Sequence, residues 1–334
     1  MNKLKILLTC SLLTFVIAAC GKEDNINNIN EDDSGIVENV ISDIIVAQWN
    51  IGHFSGGRSS NSTIKGEQYG LKEREYNSLI SQISADIFSV NEYSEYFGTD
   101  EFGEKHKAND VLFGEYPYQY VGHQSRYSCN ALFSKLPLFN SSEIEYECNQ
   151  NAKITHTTAI KAIDYYLLES ETVINGILTK LVSTHLAFDK NNEDVARNQI
   201  LEIIDRYKTY SNVIICGDWN IKDINNFDYF SLAGYHLANH GEFGDYITYG
   251  TKSVLDNIMV KGFIIKKVEV VESTLSDHKP IIVTLELEKK SDDIKEKDRE
   301  YKLTKFYSCG GIAIPNDPSE TIVKLQKNKK TIIR

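Results

Sequence analysis

The sequence predicts an α/β fold in which two packed mixed β-sheets are flanked by helices, a four-layer sandwich. The chain has 334 residues, of which 41% are hydrophobic and 25% charged, so it can bury a substantial core. Short apolar runs alternate with amphipathic helical patterns, and several of these runs follow one another with little helix between them. Strands in direct succession favour two packed sheets over one simple parallel sheet.

The predicted elements follow this alternation along the chain. A strand at 44–49 precedes a helix whose apolar residues, from Leu71 to Ile83, recur with helical spacing. A second helix begins in the acidic segment 191–194, which suits the positive end of a helix dipole, and continues to Tyr207. The remaining apolar runs predict strands at 87–90, 129–134, 158–163, 177–183, 213–216, 254–260, 263–271 and 280–287.

Residues 1–19 have the pattern of a lipoprotein signal peptide. Lys3 and Lys5 precede an apolar run that is too short to span a bilayer. Small residues end the run directly before Cys20, which resembles the lipobox of bacterial lipoproteins, where cleavage precedes the cysteine and lipid is attached to it. We therefore expect a lipid-anchored protein of the cell envelope, in the outer membrane and facing the periplasm or the exterior. A plain cleaved signal peptide is the alternative.

The rest of the chain divides by composition. Residues 20–40 are rich in Asn and acidic residues and predict a flexible tether, whereas 41–288 hold all the predicted strands and helices. Residues 289–334 begin with densely alternating charges and end in a basic stretch, which predicts a charged linker and a tail of unassigned role. A formal charge of −11 argues against a broad electrostatic grip on nucleic acid or anionic lipid, although a local basic groove stays compatible with it.

Polar side chains directly follow the apolar runs or lie at their ends. A strand end can aim a side chain into a shared crevice without burying an unpaired charge. Carboxylate and amide oxygens suit a hard cation such as Mg²⁺, and the small number of His and Cys among these residues disfavours zinc. The residues concerned are Asn50, Glu92, His185, Asp218 with Asn220, Asp256, and Asp277 with His278.

Each of these residues, taken singly, has a purely structural explanation. Asp218 and Asn220 could bond their own backbone in a turn, His185 could be an ordinary hydrogen-bonded histidine at a strand end, and Asp256 could bond a neighbouring backbone group. Their order and spacing together favour a functional site.

These motifs resemble those of the endonuclease/exonuclease/phosphatase superfamily, which includes pancreatic-type deoxyribonucleases, abasic-site endonucleases, bacterial sphingomyelinases and inositol-polyphosphate 5-phosphatases. The resemblance covers 44–288 and implies a deoxyribonuclease-like sandwich. It rests on Gln48-Trp49-Asn50-Ile51, Asp86-Ile87-Phe88-Ser89-Val90-Asn91-Glu92, Asn130-Ala131-Leu132-Phe133-Ser134-Lys135, Ser183-Thr184-His185-Leu186, Leu255-Asp256-Asn257-Ile258 and, above all, Gly217-Asp218-Trp219-Asn220 and Ser276-Asp277-His278-Lys279-Pro280.

The resemblance implies a metal and phosphate site. Glu92 would be the main ligand of Mg²⁺ or Mn²⁺, and Asn50 would help to hold the metal or a phosphate oxygen. Asp277 would serve the metal or the histidine beside it. By composition only, Arg126 is a candidate phosphate-binding cation, and Asn130 of the motif at 130–135 is a second phosphate-binding candidate.

The resemblance also implies the catalytic residues. Asp218 and Asn220 would orient the attacking water and the phosphate. His278, paired with Asp256, would transfer a proton or stabilise the transition state, and His185 would donate to a phosphoryl oxygen or to the leaving group. Whether Asp218 or His278 takes the proton from water stays open.

The chain departs from the family pattern at a few positions. Asn91 stands where a Gln usually precedes the metal-binding Glu, and Asn257 stands where an aromatic residue usually follows the strand Asp. The glutamate that supports the first histidine in pancreatic-type nucleases has no match near 128–130. The equivalence of His185 to that histidine therefore lacks this supporting motif.

Three classes of function are compatible with these observations. The leading one is a Mg²⁺- or Mn²⁺-dependent hydrolase of phosphoester bonds. Within this class we favour a phosphodiesterase or nuclease, with nucleic acid as a candidate substrate. The alternative is a phosphomonoesterase or lipid phosphodiesterase of the sphingomyelinase or inositol-phosphatase type, because one scaffold hosts all of these activities. The third is a non-catalytic surface-binding protein on the same scaffold. No protein partner is inferred.

Overall fold

A computed structural model describes residues 43–54, 64–123, 129–148, 165–187, 193–221 and 223–288. The predicted signal peptide, tether and tail, the lipidation candidate Cys20, the phosphate-binding candidate Arg126 and the predicted strand at 158–163 lie outside these ranges.

The described elements follow in chain order. The helices are α1 (Glu67–Ile83), α2 (Ala108–Val111), α3 (Glu193–Tyr207) and α4 (Asp228–Leu232). The strands are β1 (Ile44–Asn50), β2 (Ile87–Asn91), β3 (Tyr96–Thr99), β4 (Lys105–Lys107), β5 (Tyr118–Val121), β6 (Ala131–Ser134), β7 (Phe139–Glu145), β8 (Tyr166–Ile174), β9 (Ile177–His185), β10 (Val213–Asp218), β11 (His236–Leu237), β12 (Asp256–Lys261), β13 (Phe263–Val270) and β14 (Ile281–Leu287).

Two six-stranded mixed sheets form the centre of the fold. One has the strand order β13-β14-β1-β2-β6-β5 and the other the order β11-β12-β10-β9-β8-β7. A parallel pair lies in the middle of each sheet, β1 with β2 and β10 with β9, and the other neighbours are antiparallel. β3 and β4 form a separate hairpin. The predicted α/β fold with two mixed sheets is confirmed.

The two sheets pack face to face, and helices cover their outer faces. Val46 belongs to the buried apolar cluster between the sheets, and the hydroxyl of Ser89 donates to that of Ser183 across this interface, at 2.8 Å. Leu79 of α1 packs in the cluster on the outer face of the first sheet, and Ile203 of α3 packs in the cluster on the outer face of the second. The layers therefore run helix, sheet, sheet, helix.

The parallel pairs bring the carboxyl ends of the four central strands to one edge of the sandwich. Asn50 pairs in register with Asn91 at the ends of β1 and β2. Asp218 pairs in the same way with His185 at the ends of β10 and β9. Because the carboxyl ends of parallel strands project their last side chains past the sheet edge, this edge is where the predicted polar residues collect.

The structure contains strands that the sequence analysis did not predict, namely β3, β4, β5, β7, β8 and β11. β7 is an edge strand with the half-exposed sequence Phe-Asn-Ser-Ser-Glu-Ile-Glu, so it shows no apolar run. β12 begins at Asp256 rather than at the predicted Val254, because the N–H groups of Leu255 and Asp256 both donate to Thr248 Oγ1 instead of to a neighbouring strand.

Gly217 lets β10 lie close to β9 directly before Asp218. A Cβ atom at this position would lie 2.7 Å from Thr184 Cγ2 and closer still to the Thr184 carbonyl oxygen. A larger residue would push β10 away from β9 and shift Asp218 relative to His185, its partner in the register. The glycine that precedes the predicted catalytic aspartate therefore has a steric reason.

Candidate active site

Four predicted residues lie at the carboxyl ends of the central strands. Asn50 ends β1, His185 ends β9 and Asp218 ends β10, while Glu92 directly follows β2. Asp256 opens β12, which is antiparallel to β10, so its first residue pairs with Asp218 in the register. Residues separated by up to about two hundred positions thus share one edge of the sandwich.

Asn50 joins the two sheets at this edge. Its Nδ2 donates to Glu92 Oε1 at 3.1 Å and to Asp218 Oδ2 at 2.8 Å. Its Oδ1 accepts a hydrogen bond from the Gly52 amide at 3.1 Å, which fixes the orientation of the side-chain amide. Glu92 and Asp218 therefore open onto the same pit, because one amide group contacts both carboxylates.

His278 and His185 both face Asp218 inside this pit. His278 Nδ1 lies 2.7 Å from Asp256 Oδ2, and its Nε2 lies 3.5 Å from Asp218 Oδ2. His185 Nε2 lies 3.5 Å from the same oxygen of Asp218. All four side chains are buried. The predicted pairing of His278 with Asp256 is present, and Asp218 lies between two imidazoles.

The loop before β14 is fixed so that His278 points into the pit. Trp49 Nε1 donates to the His278 carbonyl oxygen at 3.1 Å, and Ser276 Oγ donates to the Asn50 carbonyl oxygen at 2.8 Å. The ring of Tyr249 packs against the His278 imidazole with 4.7 Å between centroids. These contacts tie the loop to β1 and restrict the rotamer of His278.

The charges around His278 favour its protonated form. Burial alone would lower its pKa, but the carboxylates of Asp256 and Asp218 raise the pKa of His278 to about 10. An imidazolium whose Nδ1 is held by Asp256 presents Nε2–H as a donor toward Asp218.

This raised pKa predicts a pH-dependent stability. In the unfolded chain, the pKa of His278 has its ordinary value of 6.5. The stabilisation that the charged imidazole gives the folded state is therefore complete below about pH 6.5 and is lost as the pH rises through about 10. We expect the difference in free energy of unfolding between wild type and His278→Gln to shrink across this window by at most about 1.4 kcal/mol per pH unit. Chemical denaturation of both proteins in chelator at several pH values measures it, and a constant difference would contradict the charge assigned to His278.

Asn220 lies beside Asp218 in a left-handed backbone conformation, with φ 49°. Its main-chain N–H donates to Asp218 Oδ1 at 3.1 Å, and its Nδ2 donates to the Leu186 carbonyl oxygen at 3.1 Å. The half-buried side chain thus bridges the ends of β10 and β9, next to Asp218 and His185.

Asn91, which departs from the family pattern, holds the backbone of Asp218 from the neighbouring sheet. Its Oδ1 accepts hydrogen bonds from Gln48 Nε2 at 2.6 Å and from the main-chain N–H of Asp218 at 2.8 Å. Its Nδ2 donates to Asn130 Oδ1 at 2.8 Å. Asn130 is buried, and its Nδ2 donates to the Tyr166 carbonyl oxygen at 2.9 Å. The Asn130 amide is therefore used within the protein, which gives this predicted phosphate-binding residue a supporting position behind the pit.

The oxygen-rich side of the pit fits a divalent cation. The Glu92 side chain is 30% exposed, so it is accessible to an ion from solvent. Burial raises the pKa of the half-buried Asp277, and the negative charges of Glu92 and Asp218 act in the same direction against the opposing effect of His278. Such mutually repelling carboxylates with a neighbouring amide are the hard donor set that Mg²⁺ and Mn²⁺ prefer.

The more tightly clustered group of Asp218, Asp256 and His278 fits a metal less well. Its ligand atoms lie within 4.8 Å of one another and all three residues are buried. However, His278 Nδ1 lies 2.7 Å from Asp256 Oδ2, so these two atoms already satisfy each other. This group is better described as a charge-paired cluster of candidate catalytic residues, and Asn50, Glu92 and Asp277 remain the metal-ligand candidates.

His53 is a buried site residue that the sequence analysis missed. Its Nε2 lies 3.7 Å from Glu92 Oε2 and its Nδ1 lies 3.1 Å from Ser94 Oγ. Burial lowers its pKa, the charge of Glu92 opposes this shift, and His185 adds to it. The only signal in the sequence is a histidine three positions after Asn50, beyond the end of the predicted strand.

The structure also shows the surroundings of the other two departures from the family pattern, Asn257 and the missing support of His185. Asn257 Oδ1 accepts the main-chain N–H of Asn239 at 2.8 Å, so Asn257 ties β12 to the segment after β11. His185 Nδ1 is buried and has no hydrogen-bond partner among the residues that the structure describes. No carboxylate among the described residues therefore accepts a hydrogen bond from His185 Nδ1.

Comparison with known proteins gives a consistent result. The sequence profile of the Endonuclease/Exonuclease/phosphatase family matches residues 47–278, whereas no curated protein matches the chain. Among solved structures, an endonuclease/exonuclease/phosphatase from Beutenbergia cavernae aligns with 15% identity and a TM-score of 0.56 over 74% of this chain and 72% of that one.

Two further solved structures share the fold at similarly low identity. The human Nocturnin catalytic domain with bound sulfate anion aligns with 16% identity and a TM-score of 0.52 over 74% of this chain and 95% of that one. Humanized D. rerio TDP2 aligns with 15% identity and a TM-score of 0.52 over 73% of this chain and 99% of that one. The profile match extends from β1 to His278 and so contains every residue of the pit, and the chain belongs to the endonuclease/exonuclease/phosphatase family.

Proposed function

We propose that this protein is a Mg²⁺- or Mn²⁺-dependent phosphodiesterase, with nucleic acid as the leading substrate class. The fold is that of the phosphoesterases of its family. The observation that carries the proposal is the position of Asp218, whose Oδ2 lies 2.8 Å from Asn50 Nδ2 and 3.5 Å from the Nε2 atoms of both His185 and His278. One buried carboxylate thus contacts an amide and two potential proton donors beside the metal-ligand candidate Glu92.

Hydrolysis of a phosphodiester places three demands on this pit. The anionic phosphate repels hydroxide, so the site must neutralise charge on the phosphoryl oxygens, orient a water molecule and stabilise the departing alkoxide. A divalent cation held by Glu92, with Asn50 and Asp277 beside it, would supply positive charge to the phosphoryl oxygens.

Asp218 and Asn220 are assigned to the attacking water. Asp218 is the better candidate for accepting its proton, because the raised pKa of His278 leaves that imidazole already protonated. His278 then acts as a fixed donor whose positive charge faces the position where negative charge develops, and Asp256 holds its ring through Nδ1. We therefore propose Asp218, rather than His278, as the base.

His185 is assigned to the leaving group or to a phosphoryl oxygen. Its Nε2 points toward Asp218 Oδ2, and Leu186, the next residue, donates its N–H to the Asp218 carbonyl oxygen at 3.0 Å. His185 is therefore held at the same edge as Asp218. Among the described residues, the carboxylate paired with His185 is that of Asp218, whose Oδ2 lies 3.5 Å from Nε2.

Removal of divalent cations should abolish the activity. We expect the purified full chain to hydrolyse bis(4-nitrophenyl) phosphate with Mg²⁺ or Mn²⁺ and to lose at least about 10³-fold in rate in excess chelator, with recovery on adding either metal. A parallel assay with DNA, RNA, sphingomyelin and inositol phosphates identifies the substrate class. Turnover confined to monoesters or to sphingomyelin would replace the nuclease assignment with the second enzymatic one, and turnover of any diester that persists without metal would contradict the proposal.

We also propose that lipid attached to Cys20 anchors the protein in the cell envelope. The support is the lipobox-like sequence that ends at Cys20 and the polar segment that follows it. No helix within the described residues is long and apolar enough to cross a membrane.

The anchor has a direct test. Cells that express the full chain should incorporate labelled palmitate into it and retain it in the membrane fraction, whereas Cys20→Ser should take up no label. Equal labelling of both proteins would exclude Cys20 as the modified residue, and cleavage of an unlabelled wild type would identify a plain signal peptide.

A further inference from the structure

His53 lies in the turn that follows β1 and is only 6% exposed although its side chain is polar. Its main-chain N–H donates to the carbonyl oxygen of Glu92 at 2.8 Å, and the N–H of Ile51 donates to that of Asn91 at 2.9 Å. These bonds continue the pairing of β1 with β2 past the ends of both strands. The side chain of His53 is thereby placed beside that of Glu92.

The turn holds His53 in a backbone conformation that most residues avoid. His53 has φ 52°, the following Phe54 has φ 61°, and Glu92 itself has φ 50°. Each left-handed residue other than glycine costs about 1 kcal/mol or more, so the surrounding structure must enforce it. The ring of Phe54 supplies that constraint, because it packs edge-on against Tyr76 and Tyr93 in the buried aromatic cluster.

The two ring nitrogens of His53 have different partners. Nδ1 lies 3.1 Å from Ser94 Oγ, and a serine hydroxyl can donate or accept, so it satisfies Nδ1 in either form of the ring. Nε2 faces Glu92 Oε2 at 3.7 Å, where an N–H group attracts the carboxylate. The other carboxylate oxygen, Oε1, accepts from Asn50 Nδ2. Both oxygens of Glu92 are thus flanked by a fixed nitrogen atom.

We propose that His53 is a positioning residue. It would orient the Glu92 carboxylate for the divalent cation without contacting the cation itself. The inference rests on the proposed function, since it takes Glu92 as the metal ligand. Residues that orient a metal ligand typically change metal affinity about 10- to 100-fold when they are replaced. A residue that only filled space would give no such dependence on its ring nitrogen.

The test compares Mn²⁺ affinity, measured by electron paramagnetic resonance, in the full chain and four variants. His53→Phe keeps a planar ring and removes the N–H, and we expect it to weaken Mn²⁺ binding about 10- to 100-fold. His53→Gln keeps an N–H and should stay within about threefold of wild type. Ser94→Ala removes only the partner of Nδ1 and should lie between these two. Glu92→Gln should bind least of all.

Thermal unfolding in chelator controls for folding of each variant, and Ser94→Ala keeps the test valid if His53→Phe does not fold. At saturating Mn²⁺, kcat of His53→Phe should recover to within a few-fold of wild type, because the loss lies in metal affinity. Equal Mn²⁺ affinity of wild type and His53→Phe, or equal losses for His53→Phe and His53→Gln, would overturn the role of His53. Undiminished Mn²⁺ binding by Glu92→Gln would instead overturn the proposed metal centre itself.

Discussion

Replacement of His278 by alanine is expected to lower kcat for phosphodiester hydrolysis by about 10³- to 10⁴-fold. The loss has two sources. The variant lacks the imidazolium that faces Asp218 Oδ2 at 3.5 Å, and it leaves the buried carboxylate of Asp256 without its partner at 2.7 Å. Steady-state kinetics with bis(4-nitrophenyl) phosphate at saturating metal measure the effect.

The exposed His236 on β11 offers a matched control for this prediction. His236→Ala removes an exposed imidazole from the second sheet, outside the pit, so its kcat should equal that of wild type. Circular dichroism of both variants separates a catalytic loss from an unfolded protein. A folded His278→Ala protein with more than about a tenth of the wild-type kcat would contradict the assignment of His278.

Asp218→Asn is the second change with a very large expected effect. The substitution keeps the shape of the side chain but removes the charge that Asn50, His185 and His278 all face. An amide cannot accept a proton from water, so kcat should fall by about 10³-fold or more, while substrate KM changes by only a few-fold. Metal affinity should decline much less than in Glu92→Gln.

Asp245 provides the control for Asp218. It is an exposed aspartate, and its carboxylate lies 3.1 Å from His240 Nδ1, so Asp245→Asn removes a charge facing a histidine outside the pit. We expect wild-type kinetics for this variant. Wild-type kcat in Asp218→Asn would exclude Asp218 as the group that takes the proton from water, and a loss confined to metal affinity would assign it to the cation instead.

The fold could be predicted from the sequence because its central strands are continuous apolar runs. β1, β2, β9 and β10 are buried along most of their lengths, and such runs are visible without any partner. The edge strand β7 could not be predicted, because a half-exposed strand with Ser, Asn and Glu has no apolar period. It pairs with β8 at the edge of the second sheet, a contact between strands that its own sequence does not show.

The site was predictable to the extent that its residues follow strands. Four site residues lie at strand ends, which the sequence pattern predicts: Asn50, Glu92, His185 and Asp218. The residues that hold these four in place could not be predicted. Asn91 accepts the N–H of Asp218 across 127 positions of sequence, and His53 approaches Glu92 only because a left-handed turn directs it there. Contacts of this kind depend on how distant segments pack together, and the local sequence pattern does not predict that packing.

A crystal structure of the full chain with Mn²⁺, phased on the anomalous signal of the metal, tests most directly whether these distant residues form one metal-dependent pit. We expect a single strong anomalous peak within about 2.3 Å of a Glu92 carboxylate oxygen, with Asn50, Asp218 and Asp277 around it. An anomalous peak at the separate acidic cluster of Asp100, Glu104 and His106, with none at Glu92, would contradict the account.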